Sequence, residues 1–188
     1  MRVISGKYRS RRLRSLPGLD LRPTADRLRE TLFDVLSAGE PNSLEATAWI
    51  DLFAGTGAVG IEALSRGAKM VYFVDSSLRS AELIKANLQP LNVEADFKIL
   101  RQDFMAALQK IENMGFQADF VFLDPPYAME EAYDRVLNRL AKSPVLKPDS
   151  LVIAEHQTRF DPGEAFGNLR RTRKLVQGDA ALSFYRRA

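Results

Sequence analysis

Five short apolar runs, each but the last followed by a helical pattern, limit this chain to a narrow set of folds. The runs are residues 48–53, 70–75, 97–100, 120–123 and 151–154. Their apolar residues are continuous rather than alternating, which predicts strands covered on both faces, as in a parallel sheet. Helical spacing falls between them, over residues 59–65, 78–88, 105–111 and 130–140. Strand–helix repetition of this kind predicts a doubly wound α/β sheet. The rhythm stops in the last thirty residues. There, 173–176 and 182–185 flank Gly178-Asp179 and predict an antiparallel terminal hairpin. It stops at the other end too. Thr24 is placed to cap a helix carrying Leu28, Leu32, Val35 and Leu36. Before it, short apolar patches at Arg2-Val3-Ile4 and Leu13 predict a small hairpin or extended arm. The expected organisation is therefore an appendage over residues 1–45 and a sheet domain over 46–188.

Composition narrows the class of function. The chain has 188 residues, 46% of them apolar, enough for one core. No apolar run approaches the ~20 residues that cross a bilayer, so no membrane partner is expected. The basic, polar start lacks an apolar signal core and points to the cytoplasm. Without cysteine there are no disulfides, thiolate nucleophiles or common zinc motifs, and His156 alone builds no metal cluster. No metal is expected. The net charge is only +3, but it is unevenly spread. Residues 1–29 carry nine basic and two acidic side chains, residues 168–188 six and one, and the middle is acidic. Basic ends suit a polyanionic partner, although a solvated arm would look the same. Lys7, Arg9, Arg11, Arg12 and Arg14 are the candidate RNA contacts.

Two motifs fall where strands end. The first is Asp51-Leu52-Phe53-Ala54-Gly55-Thr56-Gly57-Ala58-Val59-Gly60. In an open α/β sheet, ligands bind beyond the carboxyl ends of the strands near the switch point. Glycines at the first strand–helix turn let the backbone approach a ligand closely. Asp75 ends the second run, twenty residues after Gly55, where a carboxylate can accept ribose hydroxyls. A nicotinamide cofactor, S-adenosylmethionine and a bare tight turn all fit this much. Two details favour S-adenosylmethionine. Asp51, four residues before Gly55, needs a partner if buried. It could shape the glycine loop or meet the cofactor's amino group. Asp103-Phe104, after the third run, could read an adenine amine and stack on its ring. Asp103 is equally well placed as a helix N-cap.

The second motif is Asp124-Pro125-Pro126-Tyr127, after the fourth run. Two prolines fix two φ angles and remove two amide donors. Acceptors are left without competing N–H groups. An amine conjugated to a heteroaromatic ring has its lone pair delocalised. The Asp124 carboxylate and Pro125 carbonyl can bind its two hydrogens and turn that lone pair outward. Tyr127 can stack on the base. The pattern points to methyl transfer onto such a nitrogen, with positioning supplying up to ~7–11 kcal/mol.

These residues resemble the class I S-adenosylmethionine-dependent amino-methyltransferases, with their Rossmann-like, mostly parallel seven-stranded sheet and antiparallel terminal hairpin. The segments 22–33, 51–67 and 122–127 are similar to the RsmD family more narrowly. That resemblance implies transfer of a methyl group to the exocyclic N2 of one guanine in 16S rRNA, on the small ribosomal subunit or its assembly intermediate, by a monomer. It implies a cofactor site at Asp51, Phe53, Ala54, Gly55, Thr56, Gly57, Asp75, Asp103 and Phe104. Arg22 and Thr24 are expected near the methionine end. It implies a catalytic corner of Asp124, Pro125, Pro126 and Tyr127. The family often has Glu where this chain has the shorter Asp75. A DNA adenine-N6 methyltransferase is an alternative, but no large insertion is present for target recognition. Protein glutamine methylation more usually takes Asn where this chain has Asp124. A non-enzymatic RNA-binding module would not need the intact acidic and glycine positions.

Overall fold

The computed structural model describes residues 1–15, 23–40 and 42–188, with the backbone alone described for 23–25. Five strands follow the predicted runs: β1 (Ala48–Leu52), β2 (Met70–Val74), β3 (Phe97–Leu100), β4 (Ala118–Leu123) and β5 (Leu146–Gln157). Three more complete the sheet: β6 (Ala165–Phe166), β7 (Leu169–Gln177) and β8 (Ala180–Arg187). The helices are α1 (Pro23–Ser37), α2 (Ala58–Ser65), α3 (Leu78–Leu88), α4 (Phe104–Asn113) and α5 (Glu131–Lys142). The strand order is β3-β2-β1-β4-β5-β8-β7-β6. The first five pair in parallel and the C-terminal strands antiparallel.

The α/β class and terminal hairpin are as the sequence predicts, and the differences are local. Eight strands are present among the described residues, rather than seven. The extra one, β6, is two residues paired with Leu169 and Arg170, too short to leave a sequence pattern. β1 stops at Leu52 because Phe53 takes a left-handed φ of 61°. α1 starts at Pro23, so Thr24 lies inside its first turn rather than before it. Proline at a helix start loses nothing, since its missing N–H would be unpaired there.

Alternation along β1 sends Ile50 and Leu52 to one face of the sheet and Trp49 and Asp51 to the other. The first face packs on α4 and α5. The second packs on α1, α2, α3 and the N-terminal arm. Trp49 is a core residue, stacked with Phe33 at 5.5 Å and Phe120 at 4.5 Å.

The arm folds as the small hairpin. Arg2 and Arg12 form an antiparallel bridge, and the Val3 N–H donates to the Arg11 carbonyl at 2.9 Å. Its apolar patches belong to the main core, with Val3 and Leu13 both buried. It sits on α2 through Glu62. That carboxylate is fully buried and accepts the N–H groups of Ile4 at 2.8 Å and Ser5 at 3.0 Å. Arg66 donates to it at 2.9 Å and balances its charge. Gly6 then crosses α2 so closely that a Cβ there would lie 1.9 Å from the Ser65 carbonyl oxygen.

Candidate active site

The glycine motif forms a loop of left-handed turns between β1 and α2. Phe53, Gly55 and Gly57 have φ of 61°, 54° and 76°. Glycine adopts such values freely, whereas a phenylalanine is strained there and must be held. Holding it are the bond from the Ala54 N–H to the Val74 carbonyl, 2.9 Å, and the ring of Phe104, 5.0 Å from that of Phe53. A Cβ on Gly55 would meet only the Phe53 carbonyl, at 3.9 Å. That side of the loop is open for a ligand.

Two carboxylates shape the loop. Asp51 is buried and its Oδ2 accepts the Gly60 N–H at 3.0 Å. It therefore caps α2 from inside the strand, since Gly57 at the cap position offers no side chain. Burial pushes Asp51 up to about 8; the Gly60 bond opposes this, and the charges of Asp124 and Asp75 add to it. Asp75 accepts the Gly55 N–H on Oδ2 and the Ser77 N–H on Oδ1, both at 2.9 Å. Each oxygen keeps a second lone pair that could take a ribose hydroxyl.

Asp103 is the N-cap of α4, accepting the Met105 N–H at 2.9 Å. Phe104 is buried, with Phe53 on it and the Arg135 guanidinium 4.9 Å from its centroid. Its ring is largely core. Arg22 lies outside the described residues, as does the Thr24 side chain.

Strand register delivers the second motif to the same edge. Leu123 pairs with Leu52 on β1 and with Ala154 on β5. One residue on, Asp124 stands between Phe53 and Glu155. Pro125 is buried, while Pro126 and Tyr127 are exposed. The Pro126 carbonyl accepts the Met129 N–H at 2.8 Å, so of the two proline carbonyls Pro125 is the one the amine chemistry calls for.

Asp51, Asp124 and Glu155 share one face of three adjacent strands, so three carboxylates cluster at their ends. Loss of water pushes Asp124 up to about 7. It pushes Glu155 well above the carboxylate range, with the Asp124 charge adding and Arg29 opposing. Arg29 reaches in from α1, is buried, and donates to the Arg2 carbonyl at 2.7 Å. Such a cluster favours a cationic ligand and any positive charge that develops beside it.

Sequence reasoning missed Glu62, Glu155 and Asn87. Glu62 is one acid in an apolar helix, which signals burial but not the backbone groups it serves. Glu155 adjoins His156 at a strand end but matched no motif. Asn87 left no signal. It lies buried on α3 and its amide donates to the Thr56 carbonyl inside the glycine loop at 3.0 Å.

Other side chains are structural. His156 is buried against Ser183, its Nε2 2.9 Å from Oγ. Tyr133 is buried and donates to the Glu155 carbonyl at 2.6 Å, packing α5 on β5. The arm's Lys7, Arg9, Arg11, Arg12 and Arg14 are all exposed. No helix among the described residues is long and apolar enough to cross a membrane.

The family model described as conserved hypothetical protein 95 matches residues 1–186. The chain is 33% identical over 189 residues to YlbH of Bacillus subtilis, covering 100% of this chain and 99% of that one. It is 36% identical over 156 residues to the ribosomal RNA small subunit methyltransferase D of Haemophilus influenzae, covering 82% and 78% respectively. The solved structure of yhhF from Escherichia coli superposes with a TM-score of 0.83 at 28% identity, covering 100% of this chain and 97% of the other.

Proposed function

Because this chain belongs to the conserved hypothetical protein 95 family, which includes the RsmD rRNA methyltransferases, we propose that it uses S-adenosylmethionine to methylate the N2 amine of one guanine in 16S rRNA. The observation that carries this reading is the Leu52–Leu123 pairing, which sets the donor-free corner at Asp124 beside the glycine loop. The residues fit the cofactor. The open side of Gly55 gives a backbone cradle, Asp75 keeps lone pairs for a ribose, and the carboxylates suit a cation. Asp51, Phe53, Ala54, Gly55, Thr56, Gly57, Asp75, Asp103 and Phe104 would hold it, with Arg22 and Thr24 toward its methionine end. When bound, S-adenosylmethionine supplies an electrophilic methyl carbon on a sulfonium.

The chain's own residues do the rest. Asp124 and the Pro125 carbonyl accept the two amine hydrogens and direct the nitrogen lone pair, while Tyr127 stacks on the base. The carboxylate then stabilises the positive charge that builds on nitrogen, which is discharged as one amine proton passes to the carboxylate or to water. Guanine N2 lies on the pairing edge, so the base must be unpaired or flipped out. Lys7, Arg9, Arg11, Arg12 and Arg14 would grip phosphates of the subunit RNA, or of its assembly intermediate, and orient it. We expect the protein to act as a monomer in the cytoplasm.

The test is methyl incorporation into small subunits lacking the modification, with free 16S rRNA and duplex DNA as competing acceptors. A single N2-methylguanine found by nucleotide-resolution mapping is the expected product. Methyladenine in DNA as the main product would overturn the reading.

The raised carboxylates also set a pH dependence. The Asp51 carboxyl, held up to about 8 by burial, is largely neutral below that value and largely charged above it. Affinity for cationic S-adenosylmethionine should therefore rise several-fold from pH 6 to pH 8.5. The neutral thioether product, S-adenosylhomocysteine, should show a much smaller change. Calorimetry with both ligands across this range measures the difference, and parallel pH profiles would remove the charge argument.

A further inference from the structure

Asn87 offers three hydrogen bonds from one buried amide. Its Oδ1 accepts the Arg14 N–H at 2.7 Å and its Nδ2 donates to the Arg14 carbonyl at 3.1 Å. This reciprocal pair grips the arm's backbone much as a neighbouring strand would. The remaining Nδ2 hydrogen goes to the Thr56 carbonyl at 3.0 Å. Thr56 stands between Gly55 and Gly57, the two residues with least resistance to a backbone flip. One side chain on α3 thus holds the basic arm and the peptide at the centre of the glycine loop.

The arm has its own attachment elsewhere. Glu62 takes the Ile4 and Ser5 N–H groups, and Ser65 takes the Tyr8 N–H at 2.9 Å. These bonds seat the hairpin on α2 without reaching the loop. The bond to Thr56 adds nothing to that seat, but it fixes which way the loop's central carbonyl points. With the carbonyl held, the Gly57 N–H stays on the Ala54 carbonyl at 2.7 Å and the open side of Gly55 keeps its shape. Without it, a half-buried carbonyl loses its donor and either glycine can turn.

We propose that Asn87 is a positioning residue for the cofactor, coupling the seating of the basic arm to the shape of the glycine loop. The inference rests on the proposed function, in which the loop holds S-adenosylmethionine and the arm holds RNA. It adds that the two sites communicate. An arm ordered by RNA keeps Arg14 on Asn87, and Asn87 keeps the loop in its binding shape. By linkage, a cofactor that needs that shape favours the seated arm in return.

The test is a double-mutant cycle read by cofactor affinity. Asn87→Ala removes the coupling amide. Gly6→Ala unseats the arm from its far side, because the new Cβ would lie 1.9 Å from the Ser65 carbonyl oxygen. Calorimetry with S-adenosylmethionine on the full chain should show about tenfold weaker binding for each single variant. The double variant should be little weaker than Asn87→Ala alone, since only the long contact from the Thr56 hydroxyl to the Met1 sulfur, 3.6 Å, then still joins arm and loop. A second readout needs no ligand. Hydrogen exchange at the Gly57 amide should speed up in both single variants, while amides in β4 and β5 keep their protection. Should Asn87→Ala fold poorly, Asn87→Ser, which is too short to reach both partners, takes its place in the cycle.

Additive losses would show that Asn87 and the arm act separately. Unchanged affinity and unchanged Gly57 exchange in the Asn87 variant would show that the amide only fills space. Either result overturns the inference while leaving the proposed reaction intact. A wild-type chain that does not bind S-adenosylmethionine would instead remove the reading beneath it.

Discussion

Replacing Asp124 by Ala is expected to slow methyl transfer by at least a hundredfold, with little loss of cofactor affinity. The reason is the placement of the carboxylate. It stands at the end of β4, beside Phe53 of the glycine loop and Glu155 of β5, next to two prolines that donate nothing. In the proposed reaction it accepts an amine hydrogen and faces the charge that forms on nitrogen. Removing one such electrostatic partner from a site of this kind costs on the order of 10²–10³ in rate. Asp124→Asn is the sharper variant, since it keeps the volume and replaces an acceptor by a donor aimed at the amine. Single-turnover rates with saturating small subunits, beside calorimetry for the cofactor, separate chemistry from binding. A variant with wild-type rate would remove Asp124 from the chemistry. One with much weaker cofactor binding, whose rate recovers at saturating cofactor, would move it to the cofactor site.

The second large effect is expected from Gly60→Ala, and it acts on packing. Gly60 sits in the first turn of α2, pressed against β2. A Cβ there would lie 2.3 Å from Phe73 Cε1 and 2.7 Å from Val71 Cγ1. Phe73 is itself fully buried and has nowhere to go. Overpacking a well-filled core costs roughly 1–3 kcal/mol, and for a domain of this size each kcal/mol moves the melting temperature by about 2–4 °C. A fall of about 5 °C is expected. Retreat of α2 would also draw the Gly60 N–H away from Asp51 and leave a buried carboxylate without its donor. S-adenosylmethionine affinity should drop with stability, unlike in the Asp124 variants. An unchanged melting temperature would show that α2 can shift without strain.

The inner parallel strands β1, β2 and β4 were legible because they are covered on both faces and so written in almost unbroken apolar letters, whereas the edge strand β3 is broken by the exposed Lys98. The glycine loop was legible because close approach demands residues without side chains. β6 was not legible, since two residues carry no periodicity. The long β5 was only partly so. Its first half, Lys147 to Ser150, is polar and joins the sheet through an irregular register with β4. The corner at Asp124 could be read from its two prolines, whose backbone consequences are local. Glu155 could not, because its importance comes from strand register. Asn87 and Glu62 belong to the same class. Each serves backbone groups 57 to 73 residues away, and no local pattern announces such a partner. The arm was read as an appendage because it lies before the strand–helix rhythm begins. Two apolar residues, Val3 and Leu13, tie it into the core.

That tie constrains how the chain can be made. During synthesis the arm emerges before the sheet, and Asn87 follows Arg14 by 73 residues. At ~5–20 residues per second, the ribosome takes on the order of 4–15 s to supply that partner. Through this interval Val3 and Leu13 have no complete core to enter. The hairpin's final docking is therefore among the late events of folding, after the second and third helices have left the exit tunnel.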